Sequence, residues 1–314
     1  MNRPALIISR LTAAAACLTL LTVAATQAMA DVTLKQDGDT IKVKINGRPF
    51  TDYHTKADLP KPFFSPVLGQ KGDVLTRSIF FDRKDGDHPH HKGIWVAVDE
   101  VGGVKHWAEE GKIANREVKV LTAKGNPAKL KVTNQWLDTE GKSVVTETTV
   151  ISIHENGLLA YDIRFTSDRK EDVEFGDTKE GLFGFRMVDS MCEAPKGEGQ
   201  VVNAEGLKGT KECWGKPSQW VDYVGPVNGN TYGVALFDHP ENFRPSRYHV
   251  RNYGLFSISP FGEKAYTRGE QEAKPYYLKP DGELRLRYGL YIHSGDTKAA
   301  NVAGVYADYV KSGL

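Results

Sequence analysis

No charge of either sign dominates this chain: 41 Lys and Arg stand against 40 Asp and Glu in 314 residues, a formal balance of +1. Nucleic-acid binding driven by phosphate neutralisation needs a basic excess, so no nucleic-acid partner is expected. Cysteine is scarce, at three residues, which excludes a disulfide-dense scaffold. No Gly-rich dinucleotide fingerprint, phosphate loop or nucleophile elbow occurs. Strand and helix patterns do not alternate, and no repeat of about 20–50 residues is present, so neither a parallel nucleotide-binding sheet nor a propeller is expected. What remains is ordinary for a globular chain: 40% hydrophobic, 26% charged and 10% aromatic residues.

Long apolar runs are missing as well, with one exception. Arg3 and Arg10 form a short basic region, Leu11 to Ala25 is apolar and uncharged, and Ala28-Met29-Ala30 has the small-x-small pattern. Residues 1–30 read as a signal peptide removed before Asp31. The apolar stretch is short for a membrane span, so no stable span is expected. Its removal takes away two cations and no acid, leaving 39 against 40. The mature chain, 31–314, is expected to be one domain, periplasmic or secreted. It keeps Cys192 and Cys213. In an oxidising compartment these two are read either as a disulfide or as two buried thiols.

The mature chain reads as strand. Ile41, Val43 and Ile45 alternate, as do Leu159, Tyr161, Ile163 and Phe165, and again Leu284, Leu286, Tyr288, Leu290 and Ile292. A period of two marks a strand with one buried face. Asp37-Gly38, Asn46-Gly47, Glu140-Gly141, Asn156-Gly157 and Asp281-Gly282 supply turn signals. From Arg116 to Asp168 the pattern predicts an antiparallel meander of three strands. Helical spacing is convincing only over Asp296–Lys311, where Val302, Val305, Tyr306 and Tyr309 share a face and Asp296 or Ser294 offers a cap. The expected fold is all-β: a large, supersandwich-like antiparallel β-sandwich with long loops and one C-terminal helix.

Chemistry concentrates in Asp82 to Trp107, which carries His88, His90, His91 and His106 with Asp85, Asp87 and Asp99. Histidine suits proton transfer near neutral pH or metal ligation. His88, His90 and His91 are candidates for a divalent metal, because two or three imidazoles with a carboxylate match catalytic zinc or iron sites. The alternatives are proton transfer and a structural polar loop. A second cluster, Gly176 to Arg186, places Asp177, Lys179, Glu180 and Arg186 among apolar residues. A carboxylate beside a cation there is either an acid or base with a shifted pKa or a structural ion pair. Further candidates are Lys92, Trp220, Asp222, His249, Arg251 and His293. Trp95, Trp107, Trp214 and Trp220 lie in the loop-rich segments, while Trp136 belongs to a meander strand and to the core. Aromatic rings beside carboxylates and guanidinium groups suit a carbohydrate, whose C–H face stacks while its hydroxyls take hydrogen bonds.

Five stretches carry a resemblance: DHPHHKGIW (Asp87 to Trp95), GGVKHW (Gly102 to Trp107), DTKEGLFGFR (Asp177 to Arg186), Ala235 to Phe256, and RYGLYIHSGD (Arg287 to Asp296). Through them the sequence resembles the PmoA-like proteins, mostly secreted bacterial proteins of poorly defined function. The label implies oxygenation. In size, export and strand content the family instead looks like the β-sandwich carbohydrate enzymes of the galactose-mutarotase type, and that analogy implies a carbohydrate substrate. The leading expectation is an exported hydrolase or lyase cleaving a C–O bond of a glycoside. His90 or His91 would be general acid or base with Glu180 as the carboxylate partner, and Asp222 or Asp99 the second carboxylate. His88, Lys92, Trp95, Lys179, Arg186, Trp220, Asp222, His249, Arg251 and His293 would bind substrate. The alternatives are a metal-dependent oxygenase and a non-catalytic carbohydrate-binding protein.

Overall fold

A computed structural model describes residues 31–78 and 87–312. The expected signal peptide and Asp85 lie outside the described residues. Among these residues two large antiparallel sheets form, both open. In spatial order the first runs Arg247–Val250, Leu255–Ser259, Phe183–Arg186, Ile94–Val96, Phe63–Val67, Arg48–His54, Thr40–Ile45, Val32–Asp37 and Lys124–Gly125. The second runs Gln200–Asn203, Trp220–Val227, Asn230–Asp238, Glu283–Ser294, Leu158–Ser167, Ser143–Ile153, Ala128–Leu137 and Lys112–Thr122. The fold is the expected mostly-β architecture. No helix among the described residues is long and apolar enough to cross a membrane.

Two of the alternating runs are direct partners. Leu159 faces Leu290, Tyr161 faces Tyr288, Ile163 faces Leu286 and Phe165 faces Leu284, all buried in the core between the sheets. Register is fixed because a slip of one residue would turn every one of these side chains to the opposite face. The meander has four strands rather than three, since the irregular first strand begins at Lys112 and alternates too poorly to be read from its sequence. The C-terminal helix spans Val302–Lys311 and lies over the outer face of the second sheet, packing Val302 and Tyr309 against Phe237 and Tyr291. It starts later than its periodicity suggested. Residues 297–301 form turns, Asn301 takes a left-handed φ of 49°, and Asp296 accepts the Ala299 N–H instead of capping the helix. Cys192 and Cys213 are buried and form no disulfide with each other, so of the two readings the structure has the two thiols.

Candidate functional site

Sheet order explains why segments far apart in sequence meet. Ile94–Val96 pairs with Phe183–Arg186, which pairs with Leu255–Ser259, which pairs with Arg247–Val250. The histidine loop, the Glu180 segment and the His249 hairpin therefore leave adjacent strands. Two glycines allow the close approaches this needs. A Cβ on Gly93, at φ +64°, would lie 2.0 Å from the Phe64 carbonyl oxygen, and one on Gly181 would lie 2.5 Å from Val98. Gly181 thus seats Glu180 against Asp99, whose backbone N–H donates to the Glu180 carbonyl at 2.9 Å.

The histidine loop is pinned from below. Buried Arg77 donates to the backbone oxygens of Asp87 and His88, each at 2.7 Å. Buried Arg186 donates to Asp87 Oδ2 at 2.9 Å and to His91 Nδ1 at 3.0 Å. The Asp87 carboxylate also meets His88 Nδ1. Rings then stack in the order Tyr253, His88, His91, Trp95, with centroid spacings of 5.2, 4.8 and 5.5 Å and interplanar angles of 10°, 9° and 17°. His90 stands edge-on to His88 and His91. Because Arg186 donates to Nδ1 of His91, that ring carries its proton on Nε2. His249 is held the other way round: its Nδ1 donates to the Lys179 carbonyl at 3.0 Å, leaving Nε2 as an acceptor.

Electrostatics separates the titratable groups. Burial, helped by the charges of Lys61 and His88, takes His90 down to about 4. Burial likewise takes His249 to about 4, although Glu180 opposes it. His91 is pushed further down by burial, His90 and Arg186. These three imidazoles are neutral at physiological pH. Burial alone would raise the Glu180 carboxyl, but His249, Lys179 and His90 bring it below its ordinary value. Asp99 goes the other way: burial and the nearby Glu180 charge raise it to about 6, against the Ala108 N–H that donates to Oδ1 at 3.0 Å. Beneath them, burial lowers Lys61 to about 8 even with Glu109 2.8 Å away. Lys92 reaches the same Glu109 oxygen at 3.6 Å.

The expected residues divide into two places. His88 and Arg251 border Tyr253, His90 and His91 pack on His88, Lys179 and His249 meet Glu180, Asp99 adjoins Glu180 through its backbone, and Lys92 lies on Glu109. Trp220, Asp222 and His293 lie apart, on the outer face of the second sheet. There His293 Nε2 donates to Asp222 at 3.1 Å, Thr297 Oγ1 donates to the same carboxylate at 2.6 Å, and the side chains of Asp222 and His293 are buried. Trp136 is in the core as expected, while Trp95 and Trp107 are buried rather than exposed sugar platforms; of the loop tryptophans, Trp214 borders His249, its ring edge-on at 6.1 Å. Arg186 is fully buried and engaged by Asp87 and His91, with no room for a substrate group. Sequence reading missed Lys61, Glu109 and Tyr253. Tyr253 was discoverable because it sits inside the quoted Ala235–Phe256 stretch; Lys61, between two prolines, carried no comparable signal.

The donor set does not fit the expected metal. His88 and His91 lie ring on ring, and His91, with Nδ1 taken by Arg186 and its proton on Nε2, has no lone pair to give an ion. Among the described residues no three His, Cys, Asp or Glu side chains group so as to hold an ion. A cavity of about 900 Å³ opens elsewhere, lined by Arg48, Phe50, Leu68, Lys71, Glu155 and Ile292 among others, and contains none of the candidate residues.

Residues 40–307 match a family of unknown function, DUF6807, and the chain belongs to it. No curated protein matches the sequence. Among solved structures, galactose 1-epimerase from Lactobacillus acidophilus NCFM aligns with a TM-score of 0.40 and 7% identity, over 85% of this chain and 98% of its own. The GH36 α-galactosidase AgaA of Geobacillus stearothermophilus gives 0.43 and 8%, over 86% and 41%. The GalM/aldose epimerase homologue from C. elegans gives 0.39 and 8%, over 84% and 99%. Similarity this distant says nothing of what the present chain acts on.

Proposed function

We propose that this DUF6807 member is an exported carbohydrate-active enzyme that cleaves a C–O bond of a glycoside by general acid–base chemistry. One observation carries the reading: two adjacent carboxyls are driven apart, Glu180 below its ordinary value and Asp99 up to about 6. Such a split assigns roles. Glu180, ionised, accepts a proton from water or from a substrate carbon; Asp99, protonated in mildly acidic solution, delivers one to the departing oxygen. Asp222, the other carboxyl considered for the second role, is buried in its own pair with His293. His91 offers an N–H and His249 a lone pair to position hydroxyls, and the partly buried Trp214 and Tyr253 border them.

Export from the cell belongs to the same reading and rests on residues 1–30. The PmoA-like resemblance is kept for its shared motifs and not for the oxygenation its label implies, since that chemistry asks for a donor set the described residues do not assemble.

The test is turnover of a panel of aryl glycosides by the mature protein, its Glu180→Gln and its His90→Ala variants. Glu180→Gln is expected to lower kcat by about 10²–10⁴ with an unchanged circular-dichroism spectrum, and His90→Ala to remove most turnover. Appearance of an unsaturated sugar identifies elimination, and its absence identifies hydrolysis. Wild-type-like turnover in both variants refutes the site.

A further inference from the structure

Most cations around the site are already engaged. Lys179 binds Glu180, Arg186 and Arg77 bind Asp87, and Lys61 and Lys92 share Glu109. Arg251 differs. It is exposed, its guanidinium lies 5.6 Å from the centre of the Tyr253 ring, and its charge is felt by His249 and Tyr253. Among the described residues it pairs with no carboxylate, and the same holds for Arg268, whose guanidinium lies 5.4 Å from the centre of the Trp214 ring. Among the described residues, then, two guanidinium groups without a carboxylate partner each lie against an aromatic ring, Arg251 on Tyr253 and Arg268 on the Trp214 that borders His249. Among the described residues, the cations Lys61, Lys92, Arg77, Lys179, Arg186 and Arg251 also outnumber Asp87, Asp99, Glu109 and Glu180. The site is thus a positive region on a mature chain whose charges nearly cancel, an arrangement that draws in anions.

From this, and resting on the acid–base reading above, we infer that the substrate is an acidic saccharide whose carboxylate is received by Arg251. A planar guanidinium takes a carboxylate through two parallel hydrogen bonds, and the Tyr253 ring beside Arg251 holds that guanidinium in place. Arg186, the other arginine expected to bind substrate, cannot serve, because it is buried and occupied.

The experiment is calorimetric titration of the mature protein with glucuronate, galacturonate and mannuronate, each beside its neutral hexose, in wild type, Arg251→Gln and Arg251→Lys. At least one acid is expected to bind about 10–100-fold more tightly than its neutral partner. The difference should shrink with added salt, collapse in Arg251→Gln and be partly kept in Arg251→Lys. Glu180→Gln should keep the preference, which separates this inference from the catalytic reading. Equal affinity within every pair, no binding by any acid, or a preference that survives Arg251→Gln overturns it, while leaving a Glu180-dependent turnover of neutral glycosides intact.

Discussion

Replacing Asp99 with Asn should make the protein more stable and less active. The side chain is almost fully buried, and its carboxyl is raised from 3.8 to about 6, chiefly by burial and then by the Glu180 charge. A rise of that size disfavours the ionised form in the folded state by about 3 kcal/mol relative to the unfolded chain. The sign follows from which state binds the proton more tightly. Below about pH 4 the folded and unfolded forms both carry it, and the substitution changes little. Between about 4 and 6 the unfolded chain releases it first. Above 6 the folded protein holds a buried anion and bears the full penalty. Asn has no such penalty and keeps an oxygen for the Ala108 N–H. Chemical unfolding should therefore show Asp99→Asn more stable by about 2–3 kcal/mol at pH 8, by less at pH 6, and by almost nothing at pH 4. The gain should be smaller when Glu180 is Gln. Wild-type turnover should fall as pH rises through about 6, and the variant should lose most of it at every pH. Such opposed effects mark a residue kept for chemistry rather than for folding. A stability loss at pH 8, or a gain that is the same at pH 4 and pH 8, would refute the reasoning.

Other perturbations probe the scaffold. Gly181→Ala should lower the melting temperature and turnover together, by about 1–3 kcal/mol in stability, because its Cβ would sit 2.5 Å from Val98; unchanged thermal unfolding would count against the close packing that seats Glu180. Asp222→Ala should cost about 1–3 kcal/mol by leaving Thr297 and buried His293 without their acceptor, with kcat of the folded fraction retained; a selective loss of kcat would move the outer-face pair into the active machinery. Dialysis against a chelator should leave turnover of the glycoside panel unchanged, since the described residues assemble no metal-holding group; activity lost on chelation and restored by one divalent ion would overturn that.

The strands were legible because a two-residue period is a local property. Leu284, Leu286, Tyr288, Leu290 and Ile292 announce their buried face whatever they pack against, and all five are core. The histidine loop was legible as a concentration of imidazoles. What it does was not, because protonation depends on neighbours brought in by sheet order: Arg186 fixes the His91 tautomer from 95 positions away. Trp95 and Trp107 read as ligand platforms from their loop setting, yet they fill the space beside Lys61, and only packing assigns a ring to core or surface.

Composition, period and turn residues by themselves determined that this chain builds antiparallel sheets, since each is settled by a few neighbouring residues and the water around them. The meeting of Glu180 with Asp99 and His249, the retirement of Arg186 behind Asp87, and the removal of Asp222 and His293 to the far face were decided only in three dimensions. Charge interactions and burial act through space, and strand order, not distance along the chain, sets which charges share a dry environment.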